Sequence, residues 1–471
     1  MNLDLLCNDK HSKLNATCVA EVIHPCAEED VIRALKKAAA ENRSVSICGA
    51  RHAMGGQQFG EDAILLDISG LKTVQPVDTE SGLVEAGAGI MWPELIEKLH
   101  EQQLGAERVW SIRQKQTGAD DLTLGGSLAA NIHGRGLDMR PMIDDVEAFT
   151  LIDGNGKRHR CSRQENVELF NLAIGGYGCF GVITSVMLRL TPRQKLERLV
   201  EVTTIDRVIP ELEQRMKDGC IFGDFQFSID ESSEGFLNLG VLSSYRPIDQ
   251  TREMPTVRMD LGTEEWGKLI RLAHDNRTEV FKVYSEFYLS THKSLYWSDT
   301  HQLSVYLDDY HSQLDRECGA KIPASEMISE LYVPRGELLK FMADAADLLR
   351  DGSVPVIYGT VRLIRRDSES FLTWAREDYA CVIFNLHTEH DEQGIARSAN
   401  AFRALIDLAL SLGGSYFLTY HRWARQDQIE RAYPQFAEFL KRKEHYDPDQ
   451  RFQSEWWRHY RDLYSDEMLH D

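Results

Sequence analysis

Two residues able to do chemistry stand side by side in a loop otherwise nearly stripped of side chains: Arg51 and His52, within "ICGARHAMGGQQFG", residues 47–60. Glycine reaches positive φ and lets other groups come close to the main chain, so such a loop can turn several N–H groups toward a pyrophosphate. One cluster of this kind is more often a plain turn. Three more follow, however, in "GAGI", "TLGGSLAANIHGRG" and "IGGYGCFG", all before residue 184 and separated by strand-like runs. Their repetition points to a bound dinucleotide. The segment Gly176 to Gly181 also matches G-x-G-x-x-G, a pattern that signals a Rossmann site only when a strand precedes it and a helix follows. Here the β-branched run "VITSVMLRL" follows, so the nicotinamide-type reading fails on context. Further along, His387, Glu389 and His390 invite a metal reading. Metal sites need three or four convergent ligands, and nothing near this trio has recognisable ligand spacing, so no metal is expected.

The elements that must position these loops begin with "CAEEDVIRALKKAAAENR", which puts Val31, Leu35 and Ala38 on one helical face with acids in the first turn. Strands "SVSIC" and "AILLDIS" flank the first glycine loop. After "GAGI" the run "MWPELIEKLHEQ" starts a helix with Pro93 in its first turn. "VEAFTLIDGNGKRHRC" reads as a hairpin turning at Asp153-Gly154-Asn155-Gly156. A boundary falls at "VMLRLTPRQKLE". Beyond it the pattern changes to longer helices, such as 263–275 and 336–350, between strands such as "VPVIYGTVRLI" and "CVIFNLH". Residues 265–320, rich in aromatics and charge, resist assignment.

Composition narrows the partners. Lys and Arg total 53 against 74 Asp and Glu, so the net charge of 53 − 74 = −21 repels phosphate backbones and anionic membranes, and nucleic acid is not expected. Length favours two domains. The nine cysteines are odd in number, scattered and without zinc-like spacing, which reads as reduced thiols in a cytoplasmic protein. No secretory signal or membrane-spanning apolar run is visible.

At this level of detail a family resemblance emerges. "GARHAMGGQ", "LTLGGSLAANIHGRG", "DDVEAFTLIDGNGK" and "GGYGCFGVITSVMLRLTP" occur in the order and spacing of the FAD-binding domain of the vanillyl-alcohol oxidase, or PCMH-type, flavoproteins. The chain most resembles the group containing sugar-lactone oxidases, alditol oxidase and decaprenylphosphoryl-ribose oxidase, strongly over residues 20–195 and thinly beyond. The resemblance implies an α+β fold: a two-subdomain FAD-binding domain over 1–195, a substrate domain over 196–440 with an antiparallel sheet flanked by helices, and a segment over 441–471 returning to the first domain. It implies FAD as cofactor. Gly49, Ala50, Arg51, His52, Ala53, Met54 and Gln57 would wrap the pyrophosphate. Thr117, Gly118, Asp121, Gly125, Gly126, Asn131 and Gly134 would run along the cofactor, with His133 near the isoalloxazine, and Gly178, Gly181 and Ile183 would cover the adenosine. His52 stands where several members bond a histidine covalently to the flavin, although others hold a noncovalent flavin there. Its triplet is "RHA", with alanine where serine is common. A second, cysteinyl bond is not expected, because "TGADDLTLGG" has no cysteine.

For the reaction, the family implies hydride transfer to flavin N5 from a CH–OH group of a polyol, sugar or lactone-like molecule, with electrons passed to oxygen or another acceptor. Arg362, in "GTVRLI", matches the place of a basic residue lining the active site and could hold an alkoxide by charge-assisted bonds. Asn385 falls where a relative has histidine, and His387, two residues on, shares its strand face. Tyr420 stands where a relative has lysine; by strand alternation either Tyr420 and Arg422, or His421 alone, would face the cleft. Two other readings stay open: the oxidising half of a sugar epimerase working with a reductase, and a flavin-binding protein without turnover.

Overall fold

The computed structural model describes residues 5–255, 261–351 and 353–465. It is a mixed helix-and-sheet structure, of the α+β kind, in which sheets of three and four strands precede one of eight, with two further two-stranded pairings among the described residues. The first is parallel, in the order β1 (Glu21–Ile23), β3 (Ile64–Asp67), β2 (Val45–Cys48), with α1 (Glu28–Ala40) crossing between β1 and β2. Parallel neighbours need such a crossover, and a central strand covered on both faces reads as continuous apolar sequence. Ile64, Leu65 and Leu66 accordingly are all fully buried. The first turn of α1 is satisfied by its own acid: Asp30 accepts from the main-chain N–H groups of Cys26 and Ala27.

The second sheet is antiparallel, in the order β4 (Leu83–Gly87), β7 (Val182–Arg189), β5 (Val146–Ile152), β6 (Arg158–Ser162). The hairpin between β5 and β6 turns through Gly156 at φ +78°. The segment Gly176 to Gly181 feeds straight into β7, a strand, as its sequence context demanded. The same half of the chain carries α2 (Trp92–Gln102), the short α3 (Leu124–Ala130), which packs on β7, and α4 (Val167–Ala173), which packs on β6.

The third sheet has eight strands, every pairing antiparallel: β11 (Leu295–Trp297), β8 (Lys195–Thr204), β10 (Leu239–Pro247), β9 (Phe222–Phe227), β13 (Val356–Ile364), β14 (Tyr379–Glu389), β12 (Ala324–Pro334), β15 (Ser415–Tyr416). One face packs on α5 (Ile205–Lys217), α9 (Leu338–Leu349) and α10 (Glu392–Ser411). The opposite face is covered by α6 (Thr263–Asp275), α7 (Arg277–Ser290) and α8 (Tyr310–Cys318), so the segment that sequence could not assign is a helical cover. The chain then returns through α11 (Gln426–Ala432), α12 (Phe436–Tyr446) and α13 (Glu455–Leu463). Val45 N donates to Arg451 O at 2.6 Å, and Trp456 packs on Tyr177 with ring centroids 4.8 Å apart, tying this end to the first sheet. Residues 466–471 lie outside the described residues. Among the described residues no helix is long and apolar enough to cross a membrane.

Candidate active site

The glycine loops and the large sheet face each other across one cavity of about 500 Å³, a volume typical of ligand sites. One wall is made by Gly49, Ala50, Arg51, His52, Ala53 and Gln57, by Thr117 and Gly118, by Gly125, Gly126 and His133, and by Gly178, Gly181 and Ile183. Close approach explains the glycines: a Cβ on Gly49 would lie 2.1 Å from Thr123 Oγ1, and one on Gly125 would lie 2.8 Å from Ala88 Cβ. Arg51 itself has φ +64° and ties its guanidinium to Asp67 Oδ2 at 3.2 Å. Gln57 accepts from Gly55 N and donates to the carbonyls of Leu418 and Thr419, so it ties the loop to the far domain. His52 lines the cavity with Nε2 2.9 Å from Asp121 Oδ1, and Lys10 pairs with the same carboxylate. Burial would raise the pKa of Asp121, but His52 and Lys10 outweigh it and hold the carboxyl well below the usual range.

Thr117 sits on a loop fixed from beneath by Lys115. This fully buried lysine donates to Gln116 O (2.8 Å), Ala119 O (3.2 Å), Asp120 Oδ1 (2.9 Å) and Gln302 O (3.1 Å). Burial lowers its pKa, against the attraction of Asp120. The hydroxyl of Thr117 in turn accepts from Arg362.

The opposite wall is one face of the large sheet, and its rows follow from register. Glu330, Ile383, Thr360 and Gln226 align across β12, β14, β13 and β9; Ile328, Asn385 and Tyr358 form the next row; Tyr332, Cys381 and Arg362 form the row on the other side. Asp224, two residues before Gln226, shares that face. Several of these groups are buried with atoms that have no hydrogen-bond partner among the described residues: Asp224 Oδ1, Gln226 Oε1, Thr360 Oγ1, Arg362 Nε, and Tyr284 OH from the covering helix α7. Buried polar atoms without hydrogen-bond partners are costly, so a cavity lined by four of them on the sheet and one on the covering helix is suited to a polar ligand.

His133 is the most constrained ring. Its Nδ1 lies 2.9 Å from Gly134 O and its Nε2 2.7 Å from Glu330 Oε1. Both neighbours are acceptors, which calls for a proton on each nitrogen. Tyr332 donates to the same carboxylate, and Tyr420 does so at 3.2 Å. Burial opposes ionisation of Glu330, yet His133 and Tyr332 hold its pKa below the ordinary value. Burial first, and the charge of Glu330 second, push the Tyr420 phenol well above its usual range.

Not every residue singled out in the sequence reaches this cavity. Met54, Asp121, Asn131 and Gly134 lie behind the wall: Met54 O accepts from Asn15 Nδ2 at 2.7 Å, while Asn131, at φ +48°, bridges Asp367 and the main-chain N–H of Ile143. Asn385 lines the cavity, whereas His387 lies one row beyond, against Glu326. Arg422 points away, donating to Glu455 O at 2.8 Å beneath the glycine loop. Strand alternation does not govern residues 417–422, because β15 ends at Tyr416 and the chain turns, so Phe417, Thr419 and Tyr420 all reach the cavity. His421 is packed instead against Phe402. The sequence reading passed over Asp224, Gln226, Glu330, Thr360 and Lys115. For Glu330 there was a signal, an acid at an inward position of the alternating run "ISELYVP".

Glycine-bared loops thus line one side of a cavity whose other side carries polar groups without partners and a histidine contacted on both ring nitrogens, an arrangement suited to a nucleotide-type cofactor. Residues 19–162 match the family model described as an FAD binding domain. The chain is 26% identical to the L-gulonolactone oxidase of Bos taurus over 46% of its own length and 47% of that protein. It is 31% identical to cytokinin dehydrogenase 5 of Arabidopsis thaliana over 38% of its length and 34% of that protein. An oxidoreductase of the fasciation locus of Rhodococcoides fascians shares 31% identity, over 36% of this chain and 37% of that one. The chain thus spans about half the length of the gulonolactone oxidase and about a third of the other two. Residues 19–162 are similar to the FAD binding domain of the vanillyl-alcohol oxidase, PCMH-type, flavoproteins, and FAD is the cofactor that this part of the chain is suited to hold.

Proposed function

We propose that this flavoprotein is an oxidoreductase that oxidises a CH–OH group of a polyol, sugar or lactone-like molecule. The observation that carries the reading is the group of buried polar atoms without a hydrogen-bond partner among the described residues, on Asp224, Gln226, Thr360 and Arg362, facing the glycine loops inside the same cavity. A substrate with several hydroxyls would satisfy them in turn. The names of the relatives, among them an L-gulonolactone oxidase, lend support.

FAD held by the glycine loops would supply a two-electron acceptor for a hydride, with oxygen or another acceptor as the final electron sink. The chain's own residues do the rest. Residues 49–53, 125–126 and 177–181 hold the nucleotide, and His52 is placed to be the point of attachment. Arg362, steadied by Thr117, binds the substrate oxygen, and Asp224 Oδ1 accepts from its hydroxyl. Asn385 and Tyr420 line the same face and set the outline of the substrate. The Glu330–His133 contact fixes the orientation of the imidazole between the two walls. Residues 1–195 form the flavin domain in this reading, 196–440 the substrate domain, and 441–471 the returning segment. All nine cysteines are free, which supports a reducing, cytoplasmic setting.

Anaerobic mixing of the yellow protein with a panel of polyols, sugars and aldonolactones tests this. At least one should bleach the flavin, and Arg362→Met or Asp224→Asn should slow bleaching on the order of 100-fold with flavin content unchanged. A panel that leaves the native flavin oxidised sinks the proposal.

A further inference from the structure

At the end of the cavity away from His133, a second cluster of titratable groups plays no part in the reaction above. Glu326 and Glu330 share a face of β12 four residues apart, which separates them by about 13 Å along the strand. Around the buried Glu326 carboxylate stand His274 from α6, with Nε2 2.9 Å from Oε1; His387 from β14, with Nδ1 3.5 Å from Oε1; and His311 from α8, with Nδ1 2.8 Å from Oε2. Tyr310 donates to Oε2.

We propose that His274, Glu326 and His387 bind a divalent first-row cation, with Zn2+ as its representative. The ligand atoms of these three residues all lie within 4.8 Å of one another. Zinc bonds of about 2.0–2.2 Å in a tetrahedron place ligand atoms about 3.3 Å apart, and the 2.9 and 3.5 Å separations bracket that value. Proton positions point the same way. His274 Nδ1 lies 2.9 Å from the carbonyl of Ile270, so this nitrogen donates and Nε2 of the neutral ring carries a lone pair. That lone pair faces a carboxylate oxygen at 2.9 Å. Either the ring takes a second proton there, or a cation lies between the two acceptors.

The surroundings are those of a metal site rather than of a lone ion pair. Tyr310 and His311 hold the oxygen of Glu326 that the cation does not use, and Ile270 orients His274; both are the outer contacts that fix ligand geometry in such centres. Three protein ligands leave a fourth position, and Glu326 lies on the cavity wall, so a water or a substrate oxygen completes the coordination. Only His387 of the sequence trio takes part: Glu389 pairs with Arg397, and His390 Nε2 lies 2.9 Å from Ser325 Oγ. Among the described residues the other group of possible ligands, His133, Glu330 and Cys381, belongs to the end of the cavity already described.

The test uses the FAD-loaded full chain, dialysed against chelator and then titrated calorimetrically with Zn2+, with Co2+ as an optical probe at wavelengths beyond flavin absorption. One cation per chain should bind with proton release from His274, and Co2+ should give tetrahedral bands. His274→Ala and His387→Ala should each weaken binding at least tenfold, and Glu326→Gln should abolish it, while the exposed His445→Ala changes nothing. His387 is only partly buried, so its variant keeps the proposal testable if Glu326→Gln does not fold; flavin content and circular dichroism report on folding. Absence of stoichiometric Zn2+ binding to the native protein, or equal affinity in folded His274→Ala and His387→Ala variants, overturns the assignment. Both outcomes are read without substrate, so they stand apart from the oxidation reading.

Discussion

His52 is held by an acid that is itself held: Asp121 faces its Nε2 and Lys10 pairs with Asp121. The His52–Asp121 contact, at 2.9 Å, holds the ring against the cavity wall. Precipitation with acid should keep the yellow colour in the pellet of the native protein and release it to the supernatant from His52→Ala. Colour in the supernatant of the native protein would instead mean a dissociable flavin. At this scale the sequence showed what is local. Arg51, His52 and the glycines around them are contiguous, and their meaning depends on main-chain conformation within one loop. Asp224, Thr360 and Glu330 acquire meaning only when strands far apart in sequence come into register, so spacing along the chain could not group them. Arg422 failed as a cleft residue for a related reason. Its partner, Glu455, lies 33 residues downstream, and no local pattern announces that contact.

Elements with one clean apolar face were legible; an element with a blurred one was not. The helix expected over 336–350 is Leu338–Leu349 behind a short 3-10 turn, and that expected over 263–275 is Thr263–Asp275. By contrast α7 gathers Phe281, Tyr284, Phe287 and Tyr288 on one face but carries the exposed Val283 and Leu289 on the others, which blurs the stripe that a sequence reading looks for. A prediction of this scale concerns the seam between the first glycine loop and α3. Thr123 caps that helix, its hydroxyl accepting from Gly126 N at 3.3 Å, and it is the group a Cβ at residue 49 would strike. Gly49→Ala should displace both cap and loop and lower FAD affinity at least tenfold, about 1.4 kcal/mol or more. Thr123→Ala alone should cost about 1 kcal/mol of stability by loss of the cap. Combined, the two changes should recover part of the lost affinity, because the smaller residue vacates the space the new methyl needs. Equilibrium FAD titration of the four proteins gives the coupling directly, and additive losses would show that the seam is not shared.

For the whole molecule, the excess of acids and the free cysteines were plain from composition, while the pH response of the fold was not, since it depends on which histidines end up buried. Burial drives His421 down to about 3 and His11 down to about 4, the latter helped by His311. Both rings fold neutral, whereas the unfolded chain protonates them near pH 6.5, so their contribution is full above that value and is lost as pH falls toward the folded values. Between pH 6.5 and 5 each costs about 2 kcal/mol at about 1.4 kcal/mol per unit. Asp145 works the other way. Burial, opposed by Arg113, raises it to about 6, so the native state takes up that proton before the unfolded chain does and regains about 1.4 kcal/mol by pH 5. The two histidines outweigh Asp145 over this window, His390 and His459, lowered by burial, act with them, and His274, which burial would lower but Glu326 raises, acts against; below about pH 4 the depressed carboxyls of Glu326, Glu330 and Asp299 add to the loss. Urea unfolding at pH 6.5 and pH 5 should show this drop, and His421→Phe, though less stable overall, should show a drop smaller by about 2 kcal/mol. An unchanged pH difference in that variant would mean that His421 is already protonated in the folded protein, against the apolar contacts with Phe402 and Trp423 that surround it.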